Sequence, residues 1–472
     1  MAEKSSPGIP GDSVIVDWES PQDPRMPRNW STFRKWRNVM LISMLTFVSP
    51  FGSSMLAPSM GQVMAEFHCS NTDIESLTVS IYVLGYVFGP LLYAPLSELF
   101  GRQLPLLASS ALFTITAVAC ALSVNLPMLI VFRFLSGVVG SAPLSLGPAS
   151  IGDMFEPQSC GKAMAAWNLP VLFGPALGPL VGSYITQSGG WRWNCWFLAI
   201  TMGSLFLVAI LLLRETHPPT ILERHVLKMR KQNHNYTFIS VLQPTATPRC
   251  TLINAFTRPV KLLLLSPIVL VLSLCSAISY GFIYLLFTSM TSAFTRKYGI
   301  GTPQVGLMYL GFGVGNILGN LSLGYLSDRF VKRMAVSTGM KPEYRLIFLI
   351  PGSLLMPIGL LIYGWTLEFN LHWMVPEIGL FIFGLGTIYI SMPVNTYLVH
   401  AFPSCAASAT AANTIVRSLL GGLLALCGGR INDAVGDGWG NSILAFIGLG
   451  FIFPVFLVYR HGEYLRMHGV TV

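Results

Sequence analysis

The chain has 472 residues, 53% of them hydrophobic and only 10% charged, against about a quarter charged in ordinary soluble domains, so water is not its main solvent. A formal net charge of +9 would suit a nucleic-acid binder, but the basic residues lie in tails and loops between apolar runs, where they act as topology signals, and no nucleic-acid partner is expected. The eight cysteines form no CxxC pair and fall mostly inside apolar stretches, where a thiol behaves as a small hydrophobe, so neither a disulfide framework nor a metal site is read.

Residues 1–38 form a polar, proline-containing tail without a short apolar core and cleavage site. No removable signal peptide is expected, and the first membrane helix directs insertion itself. The tail ends in Arg34, Lys35 and Arg37, after which an apolar run long enough to cross roughly 30 Å of hydrocarbon begins near Val39. Six such runs are predicted in the first half, at about 39–61, 76–97, 105–124, 127–150, 162–186 and 194–213. The interval 214–263 is polar and basic, with Arg214, Arg224, Lys228, Arg230, Lys231, Arg249, Arg258 and Lys261 against Glu215 and Glu223. It reads as a linker carrying a short surface helix around Thr220–Lys231. Six more runs follow, at about 264–290, 304–327, 346–365, 373–396, 405–429 and 441–460, and a short tail, 461–472, closes the chain. The predicted fold is an all-α polytopic membrane protein, with twelve transmembrane helices in two six-helix bundles, 39–213 and 264–460. Lys and Arg concentrate on the side of the tail, the central loop and the loop with Arg329, Lys332, Arg333, Lys341 and Arg345, which places both termini in the cytoplasm. On that topology the sequons at Asn29, Asn235 and Asn320 escape glycosylation.

The second half repeats the first. Gly85 to Arg102, GYVFGPLLYAPLSELFGR, returns 230 positions later as Gly315 to Lys332, GNILGNLSLGYLSDRFVK, pairing Gly85 with Gly315, Gly89 with Gly319 and Glu98 with Asp328. Each copy is an apolar GxxxG helix, suited to close helix contact, that ends in an acid followed by a base. Such a pair at a cytoplasmic helix end can hold two helices in one state and release them in another. Plain surface pairing is the alternative. In the fourth run Arg133 opens Arg-Phe-Leu-Ser-Gly137, a charge inside the membrane that needs a partner or a wet cavity. In the fifth, Gly174, Gly178 and Gly182 lie at four-residue spacing on one face, while Pro175 and Pro179 remove backbone donors and bend the helix.

Six spans, a basic loop and six spans with this repeated helix end resemble the major facilitator superfamily. Ala94, Glu98, Gly101 and Arg102, with Gly324, Asp328, Arg329 and Lys332, resemble its loop signature, although Ala94, Glu98 and Val331 depart from it. Arg133–Gly137 resembles its fourth-span motif, and Gly174-Pro175 with Gly178-Pro179 resembles the motif that marks exporters. Val16-Asp17-Trp18, Pro27-Arg28-Asn29-Trp30-Ser31, Trp191-Arg192-Trp193, Pro342–Leu346, Asn395–Leu398 and Arg417-Ser418 are similar to the fungal twelve-spanner drug/proton antiporters, with His400 where that group often has an acid. The resemblance implies an MFS fold of two pseudo-symmetric bundles, alternating access between the halves, and a proton gradient as energy source without a cofactor. A monomer is expected because both halves lie in one chain, and the plasma membrane is the expected location, with vacuolar and vesicle membranes left open.

Within the spans, the groups able to carry or tune a proton are Arg133, Asp153, Glu377 and Arg417. The substrate candidates are Trp167, Asn168, Tyr280, Tyr284, Phe287, Asn316, Tyr389, Asn395, Tyr397 and Asn413, since aromatic faces with a few amides suit amphipathic organic molecules. The expected function is proton-coupled efflux of a small organic compound, a drug, toxin or secondary metabolite. The alternative is an importer or facilitator of a nutrient or polyamine on the same fold. No catalytic residue is assigned and no nucleotide is expected: at Gly161-Lys162, Glu156 stands where a phosphate loop needs Gly and Ala163 where it needs Ser or Thr.

Overall fold

In lipid a spanning backbone must satisfy its own hydrogen bonds, which apolar runs of this length do by becoming helices. The computed structural model describes residues 13–69, 71–232, 237–241, 248–299, 306–338, 342–402 and 406–468. Among these, ten helices are long and apolar enough to cross a membrane: Thr32–Glu66 (span 1), Asp73–Phe100 (span 2), Gln103–Ala121 (span 3), Leu126–Met154 (span 4), Arg192–Leu212 (span 6), Pro267–Tyr298 (span 7), Glu343–Glu368 (span 9), Met374–Ala401 (span 10), Ser408–Leu426 (span 11) and Val435–Gly462 (span 12). Cys160–Pro175 and Leu177–Gly189, bent by 41°, together make span 5. The twelfth, span 8, is Leu310–Thr338, whose Asn316, Asn320 and five glycines before Ser327 dilute its apolar character.

Local chemistry sets the breaks. Asn71 accepts the Asp73 N–H at 2.8 Å and starts span 2, and Asn125 accepts the Met128 N–H at 2.9 Å and starts span 4. Spans 11 and 12 run on as one helix, Ala406–Gly450, interrupted only at Gly436, whose φ of 82° is left-handed. Two large apolar cores result, one built chiefly from spans 1–6 and one from spans 7–12.

The segment between spans 6 and 7 is more than a linker with one helix. An amphipathic helix does form, Pro218–Gln232. Beyond it, strand β2 (Thr237–Ser240) pairs in parallel with strand β1 (Ser13–Val16) of the N-terminal tail, in register from Ser13 with Thr237 to Val16 with Ser240. Val16, Leu222, Val226 and Phe238 bury a small separate core beneath this pair. Arg25 grips Asp23, Nη2 to Oδ2 at 2.8 Å, and reaches His225 Nε2 at 2.8 Å. A second helix, Pro248–Leu265, leads into span 7. Pairing across more than 200 residues leaves no local periodicity, which is why the sequence shows a tail and a linker instead of one clasp.

Candidate functional site

At the C-terminal end of span 2 the chain turns through Gly101, whose φ of 85° favours glycine and whose missing side chain leaves room for the Glu215 carboxylate. Glu215 follows span 6 and caps the start of span 3, accepting the Arg102 N–H at 2.8 Å and the Gln103 N–H at 3.2 Å. Its Oε1 also accepts the N–H groups of Thr216 and His217, each at 2.9 Å. Arg102 extends its side chain to span 4, with Nε 3.2 Å from Asp153 Oδ2, and Nη1 donates to Ser97 Oγ. The Arg102 side chain is thus paired with Asp153, and Glu98 stays half-buried beside it. One bidentate acid and one arginine tie spans 2, 3, 4 and 6 together. His217 joins this layer through Thr220, 2.8 Å from Nδ1 to Oγ1, and burial with the nearby Arg102 charge pushes its imidazole down to about 3.

Arg133 is 2% exposed. Its Nε donates to the Thr78 carbonyl of span 2 at 2.8 Å and its Nη2 to the Ser53 carbonyl of span 1 at 3.1 Å. Span 1 breaks at this point: its first helix ends at Met55 and a 3-10 turn, Ala57–Ser59, follows. The Ser53 carbonyl is therefore one of the orphans of a helix C-terminus, where a cation is favoured by both hydrogen bonding and the helix dipole. The guanidinium lies 5.1 Å from the Tyr82 ring centroid, beside a cavity of about 10 Å³, room for a single water. Across from it, Gly174, Gly178 and Gly182 of span 5 lie flat on the backbone of span 1 between Pro50 and Met55, and a Cβ at Gly174 would sit 2.8 Å from the Phe51 nitrogen. Ser54 Oγ donates to the Pro175 carbonyl at 3.3 Å, at the 41° bend. Trp167 is 8% exposed in the N-terminal core; its Nε1 donates to Thr46 Oγ1 at 3.1 Å, and its carbonyl accepts Ser43 Oγ at 2.7 Å. Asn168, the next residue, is half-buried.

The two halves meet along a seam of tyrosines and serines. Ser53 Oγ lies 2.8 Å from Tyr284 Oη, joining span 1 to span 7. Tyr280 Oη donates to Tyr284 Oη at 3.4 Å, and Ser49 Oγ lies 2.8 Å from Tyr86 Oη on span 2. Phe287 continues the aromatic row beyond Tyr284, with ring centroids 5.9 Å apart. Arg417 of span 11 lays its guanidinium 4.8 Å from the Tyr280 ring centroid. Gly421 and Gly422 let span 2 come close, their absent side chains facing Val83 and Leu84. Gly306, just before span 8, lies against Leu180 and Ser183 of span 5.

The remaining candidates belong to packing inside the second half. Thr387 donates to Asn316 Oδ1 at 3.0 Å between spans 10 and 8, and Tyr389 Oη lies 3.1 Å from Ser322 Oγ. Asn413 Nδ2 donates to Asn395 Oδ1 at 2.9 Å between spans 11 and 10, and Tyr397 is fully buried in the C-terminal core. Glu377 accepts the Gly311 N–H at 3.0 Å and so caps the start of span 8, while its Oε1 is buried without a partner. The side chains of Asp328 and Lys332 lie outside the described residues. Arg329 donates to its own helix neighbour Tyr325 at 2.7 Å, and Gly324 faces open space.

A model of the Major Facilitator Superfamily matches residues 42–426. The chain belongs to that superfamily. It is 44% identical over 96% of its length, and 90% of the relative's, to the MFS-type transporter penM of Penicillium rubens. It is 43% identical over 97% of its length, and 86% of the relative's, to the efflux pump radE of Floropilus chiversii. Among solved structures, the proton:xylose symporter XylE has a similar fold, with a TM-score of 0.70 at 15% identity over 91% of this chain and 96% of that one.

Within this superfamily member, sequence reasoning misses two groups. Glu215 stands alone among bases directly after span 6, and its only local signal is an acid at a helix exit in a positive loop. Tyr82 and Tyr86 are one helical turn apart on the face of span 2 that carries Gly85 and Gly89, which marks them as interface residues.

Proposed function

We propose that the protein is a proton-coupled exporter of a small amphipathic organic compound, working by alternating access between its two halves. The observation that carries this reading is the mid-membrane seam of Ser53, Tyr280, Tyr284, Phe287 and Arg417, which joins aromatic faces and hydroxyls to a single cation at the meeting of spans 1, 2, 7 and 11. Such a surface gives an amphipathic molecule large apolar contact and a few orienting polar groups. Export is favoured by full-length similarity to a relative named as an efflux pump, and by the glycine face on which span 5 lies against span 1. Uptake of a polyamine fits poorly, because a polycation needs carboxylates and the chain's acids lie in tails, loops or near span ends.

We assign the proton path to acids at helix ends, Glu98 and Asp153 on the cytoplasmic side and Glu377 on the outer side. Asp153 is held by Arg102, so gaining or losing a proton there would loosen or restore the tie between spans 2 and 4. Both termini are taken as cytoplasmic from the distribution of Lys and Arg, and a monomer in the plasma membrane suffices for transport.

The test is accumulation of a panel of amphipathic compounds in cells stripped of their main exporters, with and without this protein. Lower accumulation that an uncoupler abolishes is the expected result; raised accumulation would establish uptake instead. Asp153→Asn and Glu377→Gln should each impair pH-driven transport, and unchanged rates in both would remove these acids from the path.

A further inference from the structure

Among the described residues, two charged side chains lie deep within membrane spans, Arg133 and Arg417, and they are held in opposite ways. Arg133 is satisfied by two backbone carbonyls. Arg417 stands eleven residues after Ala406, where its helix begins, and nineteen before the break at Gly436, roughly 16 and 28 Å of helical rise from the two ends. There its guanidinium makes no hydrogen bond or ion pair with any described residue, and its Nε is buried without a partner. Its guanidinium lies over the face of Tyr280, 4.8 Å away, which stabilises the cation while leaving its N–H edges free.

No acid on the described elements answers this charge. On those that touch or continue span 11, Asp73 and Glu75 are at the N-terminal end of span 2 and Glu98 at its C-terminal end, Asp153 closes span 4, Glu343 and Glu368 bound span 9, Glu377 opens span 10, and Asp437 follows the break at Gly436, twenty residues beyond Arg417. Span 7 and the helix Pro248–Leu265 carry none. A cation kept at the middle of a membrane span without a protein counter-ion is costly, and in this setting marks a ligand pathway. The surroundings describe the ligand. Tyr280 and Tyr284, ring centroids 4.9 Å apart, form an aromatic shelf beside the guanidinium. Gly421 keeps the space over Tyr280 flat, since a Cβ there would lie 2.8 Å from its Cδ1. One turn before Arg417, Asn413 Oδ1 is buried without a partner, an acceptor left for a hydroxyl or amide.

We propose that Arg417 binds the acidic group of the exported compound, a carboxylate or an ionised enol or phenol on an aromatic or conjugated body, with Tyr280 holding the guanidinium in place. This assignment rests on the exporter reading and narrows it to organic acids. The planar fork of arginine matches a carboxylate with two parallel hydrogen bonds, and in a site shielded from water such bonds are strong.

The test uses the purified full chain in detergent and three fluorescent probes of one shape: anthracene-9-carboxylate, 9-anthracenemethanol and 9-aminomethylanthracene. The carboxylate should bind about tenfold tighter than the alcohol, and the amine more weakly than either. Arg417→Gln should bring carboxylate and alcohol to equal affinity, and Arg417→Lys should restore part of the preference. Equal affinities in the wild type, no binding of any probe, or an Arg417→Gln variant that loses all three alike would overturn the proposal. The same probes followed in energised cells separate the two readings. A carboxylate that binds through Arg417 but is never extruded removes export and keeps the site; extrusion of all three without preference does the reverse.

Discussion

Spans 2 and 4 in the first half and spans 8 and 10 in the second use the same backbone contact for different chemistry. Gly85 faces the Phe134 carbonyl and Gly315 the Phe381 carbonyl; Gly137 faces the Tyr82 carbonyl and Gly384 the Phe312 carbonyl; Gly89 faces Ser141 and Gly319 faces Ile388. The first members are related by a constant 230 positions along spans 2 and 8, the second by a constant 247 along spans 4 and 10. Beside Gly85 this register places Arg133, and beside Gly315 it places Leu380, 1% exposed. The repeat therefore fixes where two helices touch and leaves free what they carry. Charge at the first contact is tied to the break in span 1, a feature that Leu380 does not need.

The comparison breaks most severely at its glycines. In Gly137→Val or Gly384→Val the new side chain would run into a backbone carbonyl, which no rotamer can relieve, so the loss should exceed the roughly 1–3 kcal/mol of ordinary overpacking. Both should lose the monodisperse folded peak in fluorescence-detected size-exclusion chromatography. Gly324→Ala, facing open space, should keep it. Tolerance at Gly384 with failure at Gly137 would show that the halves do not share this contact.

Next in size is the charge itself. Arg133→Leu copies the second half into the first and strands the Ser53 carbonyl at a helix end, a loss of about 2 kcal/mol, visible as a lower thermal midpoint in detergent. Arg417→Gln should barely move that midpoint, because no described protein group loses a hydrogen bond. Equal shifts would mean that both arginines serve the fold.

Much of this is legible in the amino-acid sequence. The apolar runs and the 230-residue repeat locate the helices, because lipid leaves the backbone one local solution. Span 8 is found despite Asn316 and Asn320 because its glycines and its Leu-Ser-acid ending match span 2. Site residues are harder to read, since an aromatic or amide in a bundle can face either the core or the cleft, and nothing in its own neighbourhood distinguishes the two. Trp167 faces the core and Tyr280 the seam between the halves, yet both sit in apolar helices. The carboxylate of Glu215 and the strand pairing of Val16 with Ser240 depend on residues more than a hundred positions away, and local reading has no access to them.

The layer built on Glu215 and Arg102 offers a smaller, pH-readable difference from the membrane contacts. His217 has its imidazole held down to about 3 by burial and Arg102, so in the folded protein it stays neutral. Its contribution is fully present above the unfolded value near 6.5 and is lost as pH falls from there toward about 3. Between pH 7 and pH 5 the wild type should lose about 2 kcal/mol of stability that His217→Asn does not. Asp23, lowered by its hydrogen bonds to Arg25, contributes in the same direction but only at more acidic pH, below the ordinary carboxylate range. Parallel melting curves for wild type and His217→Asn would remove the histidine from the account.

The smallest expected effect tests whether the clasp of tail and central loop is a unit separate from the membrane bundles. Val16 is 8% exposed and meets Leu222, Val226 and Phe238 in a core of its own. Val16→Ala removes two methyl groups' worth of burial, about 1.5 kcal/mol. If the clasp is independent, that loss should appear as faster proteolysis within residues 214–263 while the thermal midpoint of the membrane bundles and the rate of transport stay unchanged. A fall in transport would instead couple the parallel strands to the network behind them: Glu215 lies seven residues before Leu222 and caps span 3, so a loosened helix Pro218–Gln232 would act on Arg102 and through it on Asp153.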